Sequence, residues 1–211
     1  MNRICKYLPL LFCLSFAHAQ SALDVGLGFG SFHDKASGSG IDQITGGTCV
    51  SGVACLQTPA LSGFFMGFGG TIMLTKRYGF GGEAVLQPGK QDYAGLQSRQ
   101  IFYDVNAVFA PVNEKKVVVR LEGGIGGATT NFYVTQNSCV GTAVCASQTQ
   151  TLGSTKHFQV HTGVGVQIFL SEHLFIRPQF DLHYVPGFTN QFGSNLAPGA
   201  MIFVGYSMGD R

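Results

Sequence analysis

Residues Gly163–Val185 read GVGVQIFLSEHLFIRPQFDLHYV, and two alternations meet in them. Val164, Val166, Ile168 and Leu170 take every second position, with Gly163, Gly165 and Gln167 between them. After the short polar break Ser171-Glu172-His173, Leu174, Ile176, Phe180, Leu182 and Tyr184 alternate with Arg177, Gln179, Asp181 and His183. A period of two is that of a β-strand, whose successive side chains point to opposite faces. The stretch therefore reads as an antiparallel hairpin with one apolar face and one face of glycine, polar and charged residues.

Composition decides which face is outside. Charged residues make up 11% of the chain, against a usual ~25%, too few to cover a water-facing surface. There are thirty glycines, eighteen phenylalanines and no tryptophan. Thirteen Lys+Arg against eleven Asp+Glu, without a basic run, argue against a nucleic-acid partner. Past the first nineteen residues no continuous apolar helix of spanning length occurs. The other structure that crosses lipid with its backbone satisfied is a closed β-barrel, apolar face outward.

Eight segments fit that demand: residues 22–32, 61–75, 78–87, 99–110, 116–130, 156–170, 174–184 and 199–208. Their connections alternate as the barrel requires, short at 76–77, 111–115 and 171–173 and long at 33–60 and 131–155. The expected fold is all-β, an eight-stranded antiparallel up-and-down transmembrane barrel. Gly26, Gly28, Gly30, Gly63, Gly67, Gly69, Gly79, Gly81, Gly124, Gly126, Gly163, Gly165 and Gly205 all fall on the inner face by parity, and few, such as Gly70, Gly82 and Gly123, fall outside. Eight strands leave an interior just wide enough for side chains, so these glycines make room for bulky neighbours in a packed lumen. A gapless alignment of Gly67–Tyr78 on Gly163–Leu174 maps the second segment onto the sixth, as duplicated halves or shared hairpin geometry would.

Arg3 and Lys6 precede the apolar LPLLFCLSF and the small-residue end Ala17-His18-Ala19, the pattern of a cleaved signal peptide over residues 1–19. Residues 20–211 then form the single barrel domain, exported, with both termini on the periplasmic side. Phe12 before Cys13 argues against a lipoprotein. Export removes Cys5 and Cys13 and leaves two CxxxxxC runs, TCVSGVAC at 48–55 and SCVGTAVC at 138–145. Disulfides Cys49–Cys55 and Cys139–Cys145 are the simplest of three connectivities. Zinc is the competing reading, with a spacer too long and no histidine nearby.

GLGFG at 26–30 and GGIGG at 123–127 lack the strand-then-helix setting of a dinucleotide fingerprint, and line the barrel instead. No cofactor and no metal are expected. Asp24, Glu83, Asp104, Arg120, Glu122, Arg177 and Asp181 point inward. Buried charge must pair, so a lumenal polar network centred on Arg120 and Arg177 is expected, in preference to an ion pathway. His157, His161 and His183 are also inward. On one strand His157 and His161 stand about 13 Å apart and cannot share a metal, so structural roles are expected rather than catalysis.

Gly163–Val185 followed by GAMIFVGYSMG at 199–209 resembles the last hairpin and closing strand of the OmpA/OmpX-like eight-stranded outer-membrane barrels. The resemblance implies that Arg177 joins a lumenal ion-pair network. It also implies that Val204, Tyr206 and Met208 belong to the C-terminal signal read by the barrel-assembly machinery. Outer-membrane lipid, that machinery and periplasmic chaperones are then the expected partners, in the outer membrane of a bacterium. Met208 with Gly-Asp-Arg beyond it departs from the family's terminal aromatic, and no peptidoglycan-binding domain is expected. The functional expectation is a non-enzymatic protein acting in adhesion, surface interaction or envelope integrity through disulfide-shaped loops and an extracellular partner. A small channel, a lipid-modifying barrel enzyme and a soluble ligand-binding barrel are the alternatives.

Overall fold

The computed structural model describes residues 22–34, 61–93, 96–140 and 144–209. They form one antiparallel sheet of nine strands: β1 (Ala22–Phe32), β2 (Phe64–Met73), β3 (Tyr78–Leu86), β4 (Gln91–Tyr93), β5 (Leu96–Asn113), β6 (Val117–Val140), β7 (Val144–Phe169), β8 (Leu174–Tyr184) and β9 (Leu196–Met208). A one-turn helix, α1 (Thr189–Phe192), lies between β8 and β9. The first strand pairs with the last, from Leu23↔Met208 to Phe32↔Gly199, and β3 pairs with β5 as well as with β2. This is a barrel-type topology of the outer-membrane kind.

The expected faces hold through the sheet. On β1 Asp24, Gly26 and Gly28 are buried while Leu23, Leu27 and Phe29 are exposed. An apolar belt runs round the outside: Leu27, Phe68, Phe80, Val105, Ile125, Phe158, Phe180 and Ile202, from eight of the nine strands, are each more than half exposed, Ile125 at 60%. An exposed patch of that extent belongs in lipid. Phe29 stacks on Phe64 and Tyr78 on Phe109 along it.

Two expectations about the strands need correction. Nine strands replace eight because Pro88-Gly89 interrupts the third: Leu86 pairs with Ile101 in β5, but after the break Gln91 pairs with Ser98. Proline has no N–H for the ladder, so two residues bulge out and β4 resumes as a separate strand on the same neighbour. Residues 131–155, expected as a long loop, are strand for all but 141–143, which lie outside the described residues. β6 and β7 pair without interruption of the hairpin to Val140↔Val144, with one register shift between Phe132 and Tyr133 that leaves Leu152 unpaired. Thr135–Ser138 and Ser147–Thr151 consist of Thr, Gln, Asn and Ser without an apolar face, so period-two hydrophobicity could not announce the strands. Leu96–Ser98 at the start of β5 and Leu196–Pro198 at the start of β9 likewise extend past the expected bounds.

Three short turns, at 74–77, 114–116 and 170–173, share one end of the sheet with Ala22 and Met208. The ribbon of β6–β7, the β4–β5 hairpin and α1 share the other. The expected signal peptide, and Cys49 and Cys55, lie outside the described residues.

Candidate functional site

The inward face is layered by chemistry. Toward the ribbon end Phe32, Phe65, Phe102, Phe132, Phe188 and Phe192 belong to one buried aromatic cluster. Edge-to-face rings fix it: Phe32 on Phe65 at 5.0 Å and Tyr93 on Phe132 at 5.1 Å, each such pair adding ~0.5–1.5 kcal/mol beyond its buried area. The helix α1 closes this layer from above. Its Gln191 C=O accepts from the Tyr93 hydroxyl at 2.7 Å, and its Gln191 side chain donates to Thr155 Oγ1 at 2.8 Å. Gly193 in the left-handed region, φ 78°, ends the turn, and Asn195 Oδ1 accepts from the N–H groups of Gly187 and Thr189.

Below the aromatic layer sits the polar network. His161 and His183, directly opposite in the β7–β8 register, stack with centroids 4.6 Å apart, and His183 touches Phe102 at 4.8 Å. His161 Nε2 lies 3.0 Å from Asp181 Oδ1, and Nδ1 lies 3.0 Å from Asn106 Oδ1 and 3.6 Å from Asp104. Asn106 and Gln159 each donate to Asp104, and Gln159 Oε1 lies 3.1 Å from His183 Nδ1. Gln179 links this group to the next, donating to Asp181 at 2.8 Å and to Glu83 at 3.2 Å. Arg177 stands 3.9 Å from Glu83 and 3.7 Å from Glu122, its guanidinium over the Phe203 ring at 4.6 Å. Nearest the short turns, Arg120 bonds Asp24 at 2.8 Å, and Gln167 donates to the same carboxylate.

All seven inward charges of the expected network are buried, but they do not all gather on the two arginines. Asp104 and Asp181 are held by His161 instead, and Arg120 pairs with Asp24 apart from Arg177. Gln159, Gln179 and Asn106, the connecting amides, carry no signal in the sequence beyond their inward parity. Glycine makes the space. A Cβ at Gly163 would lie 2.6 Å from Asp181 Oδ1, and one at Gly28 2.6 Å from the Phe203 ring. Among the described residues no group of three or more His, Cys, Asp or Glu is placed to hold a metal.

The second site is the projecting ribbon. Pairing of β5 with β6 ends at Gln97↔Tyr133, and pairing of β7 with β8 begins only at Val160↔Tyr184. Beyond Tyr133 the two strands pair only with each other among the described residues. Val134–Val140 extends them by roughly 20 Å at ~3.3 Å per residue. Lys90 Nζ lies 4.5 Å over the Tyr133 ring at the base, and Thr135 meets both Gln97 and Thr149 at 3.2 Å. At the tip the register sets Cys139 directly opposite Cys145; only their backbone is among the described atoms. Of the expected assembly signal, Val204, Tyr206 and Met208 all face outward, Tyr206 stacked on His173 at 5.2 Å.

Comparison with known proteins follows the same lines. Residues 8–192 match the family described as outer membrane protein beta-barrel domain. No curated protein matches the chain. Among solved structures the chain is similar to Ail, the attachment invasion locus protein of Yersinia pestis, in complex with the heparin analogue sucrose octasulfate, at 11% identity and a TM-score of 0.52, covering 90% of this chain and 99% of that one. It is similar to the outer membrane protein OprG from Pseudomonas aeruginosa, at 14% identity and a TM-score of 0.52, over 92% of this chain and 99% of that one. Neisserial surface protein A is similar at 9% identity and a TM-score of 0.52, over 90% and 99%. At these identities the likeness is one of fold. With the family match spanning most of the chain and the apolar belt placing its outer face in lipid, the chain belongs to the outer membrane protein beta-barrel domain family and resides in the bacterial outer membrane.

Proposed function

We propose that this is a non-enzymatic surface-interaction protein in which an eight-stave barrel, β3 and β4 forming one stave, encloses a filled lumen and carries the β6–β7 ribbon outside the cell. The observation that carries the reading is the division of labour along the axis. Ion pairs and a capped aromatic layer occupy the interior, while the one long paired element that leaves the barrel among the described residues has both faces exposed over Ser147–Ser154. The β1–β9 and β3–β5 pairings favour a closed ring, which removes the free edges a membrane would not tolerate.

In this reading the short turns and both termini face the periplasm, residues 1–19 serve export, and Val204, Tyr206 and Met208 present the outward face that the assembly machinery reads after periplasmic chaperones deliver the chain. Directly opposite residues in an antiparallel pair have Cα atoms ~4.5–5.5 Å apart, within the span a disulfide needs. That register favours a Cys139–Cys145 bridge pinning the ribbon tip, with Cys49–Cys55 its counterpart in the first loop. The test is planar-bilayer recording of the refolded protein together with attachment of expressing cells to protein-coated surfaces. The expected results are no conductance steps, and attachment that is lost when residues 134–151 are replaced by a two-residue turn. Stable steps overturn the filled lumen, and attachment equal to that of non-expressing cells overturns the surface role.

A further inference from the structure

We infer that the free edge of β7 is a self-recognition strand: copies on apposed membranes join β7 to β7, antiparallel, about Thr149. The inference rests on the outward ribbon proposed above and adds its partner, a second copy of this chain.

The edge is open. From Val144 to Gln159 nothing among the described residues pairs with β7 on the side away from β6, and only Thr155 and His157 at its base are engaged by the α1 loop. Below the tip, Val144–Thr151 runs in regular register before Leu152 bulges. Proteins commonly blunt such an edge with charge, proline or an inward-pointing lysine. Here Asn131–Thr155 contains no Asp, Glu, Lys, Arg, His or Pro. A surface without charge meets its own copy without repulsion.

The sequence of the edge is self-complementary as well. Ser147-Gln148-Thr149-Gln150-Thr151 is symmetric in chemistry about Thr149. An antiparallel pair centred there sets Thr149 against Thr149, Gln148 against Gln150 and Ser147 against Thr151. Hydroxyl pairs directly opposite one another stabilise antiparallel ladders, and an isologous two-fold contact satisfies both copies at once.

Membrane geometry selects the arrangement. Two copies in one membrane run β7 in the same direction, so their edges could meet only in parallel. An antiparallel pair needs the partner inverted, as it is on a facing membrane. One such contact is small, but many between two surfaces act together, and linked contacts raise avidity by about 10²–10⁴ over the single one.

The experiment uses vesicles carrying the full-length protein at high density, with heat-modifiable gel mobility confirming the fold of every variant. Wild-type vesicles are expected to clump, read as turbidity. T149K vesicles and T149E vesicles should each stay dispersed, with like charges face to face. A mixture of the two should clump again, because Lys then faces Glu. Wild-type vesicles that stay dispersed, T149K vesicles that clump as wild type does, or a mixture that stays dispersed each overturn the inference. Protease added to intact expressing cells separates this from the underlying reading: cleavage within 131–155 keeps the ribbon outside whatever the vesicles do, and its absence removes the outward ribbon itself.

Discussion

Arg120 and Asp24 meet at 2.8 Å with their side chains only 1% and 5% exposed, the kind of pair whose value lies in what its removal leaves behind. Arg120→Met leaves a buried carboxylate without its counter-charge and should cost about 3–5 kcal/mol, while Arg120→Met with Asp24→Leu should recover most of that. Urea unfolding in lipid vesicles measures both; a single variant as stable as wild type would show the pair to be dispensable. Glycine positions separate just as sharply. At Gly28 a methyl group meets the Phe203 ring, whereas at Gly123 nothing lies within 4 Å. Gly28→Ala should therefore destabilise by about 1–3 kcal/mol through overpacking and Gly123→Ala by no more than ~0.5 kcal/mol, read in the same assay. The facing of each of these residues was legible by parity, inward for all but Gly123. Their partners were not, because Arg120 on β6 finds Asp24 on β1 although those strands do not pair, and His161 finds Asp181 through the β7–β8 register, neither of which a local pattern contains.

At the scale of elements, the hairpin β7–β8 behaved as its alternation required, and the ribbon did not. Residues 156–170 alternate strongly apolar with small or polar side chains, because one face meets lipid and the other the interior. Apart from Phe132 in the aromatic cluster and Thr155 under α1, residues 131–155 meet neither, so little in them selects a face, and their strand character comes from continuing a ladder already nucleated by β6 and β7 below. That origin has a kinetic signature. Amides of Val144–Thr151 lack a second neighbouring strand and should exchange with deuterium faster, by orders of magnitude, than those of Val160–Phe169, which lie between β6 and β8. Mass-spectrometric exchange on the folded protein checks this; equal protection would mean that another segment covers the ribbon edge.

For the whole molecule, stability and surface shape are set by different parts. The barrel wall rests on ladders, interior packing and the apolar belt, which among the described residues involve no cysteine. Replacing Cys49, Cys55, Cys139 and Cys145 by serine should leave membrane insertion and heat-modifiable mobility intact and make the loops more protease-sensitive, since a ring of so few residues constrains little chain entropy. Loss of the folded form on gels would instead place a disulfide in the wall. By itself the sequence determined the class of fold, the lipid-facing and inward faces of the strands, and the location, because a two-residue period and a scarcity of charge are local and compositional properties. Only the tertiary structure decided which charges share a partner, that Pro88-Gly89 splits a stave, that α1 caps an aromatic layer, and that residues 131–155 rise as a ribbon with an open edge. Each of these depends on how one strand lies beside another, and register between strands is a property of the paired ladder rather than of any single segment.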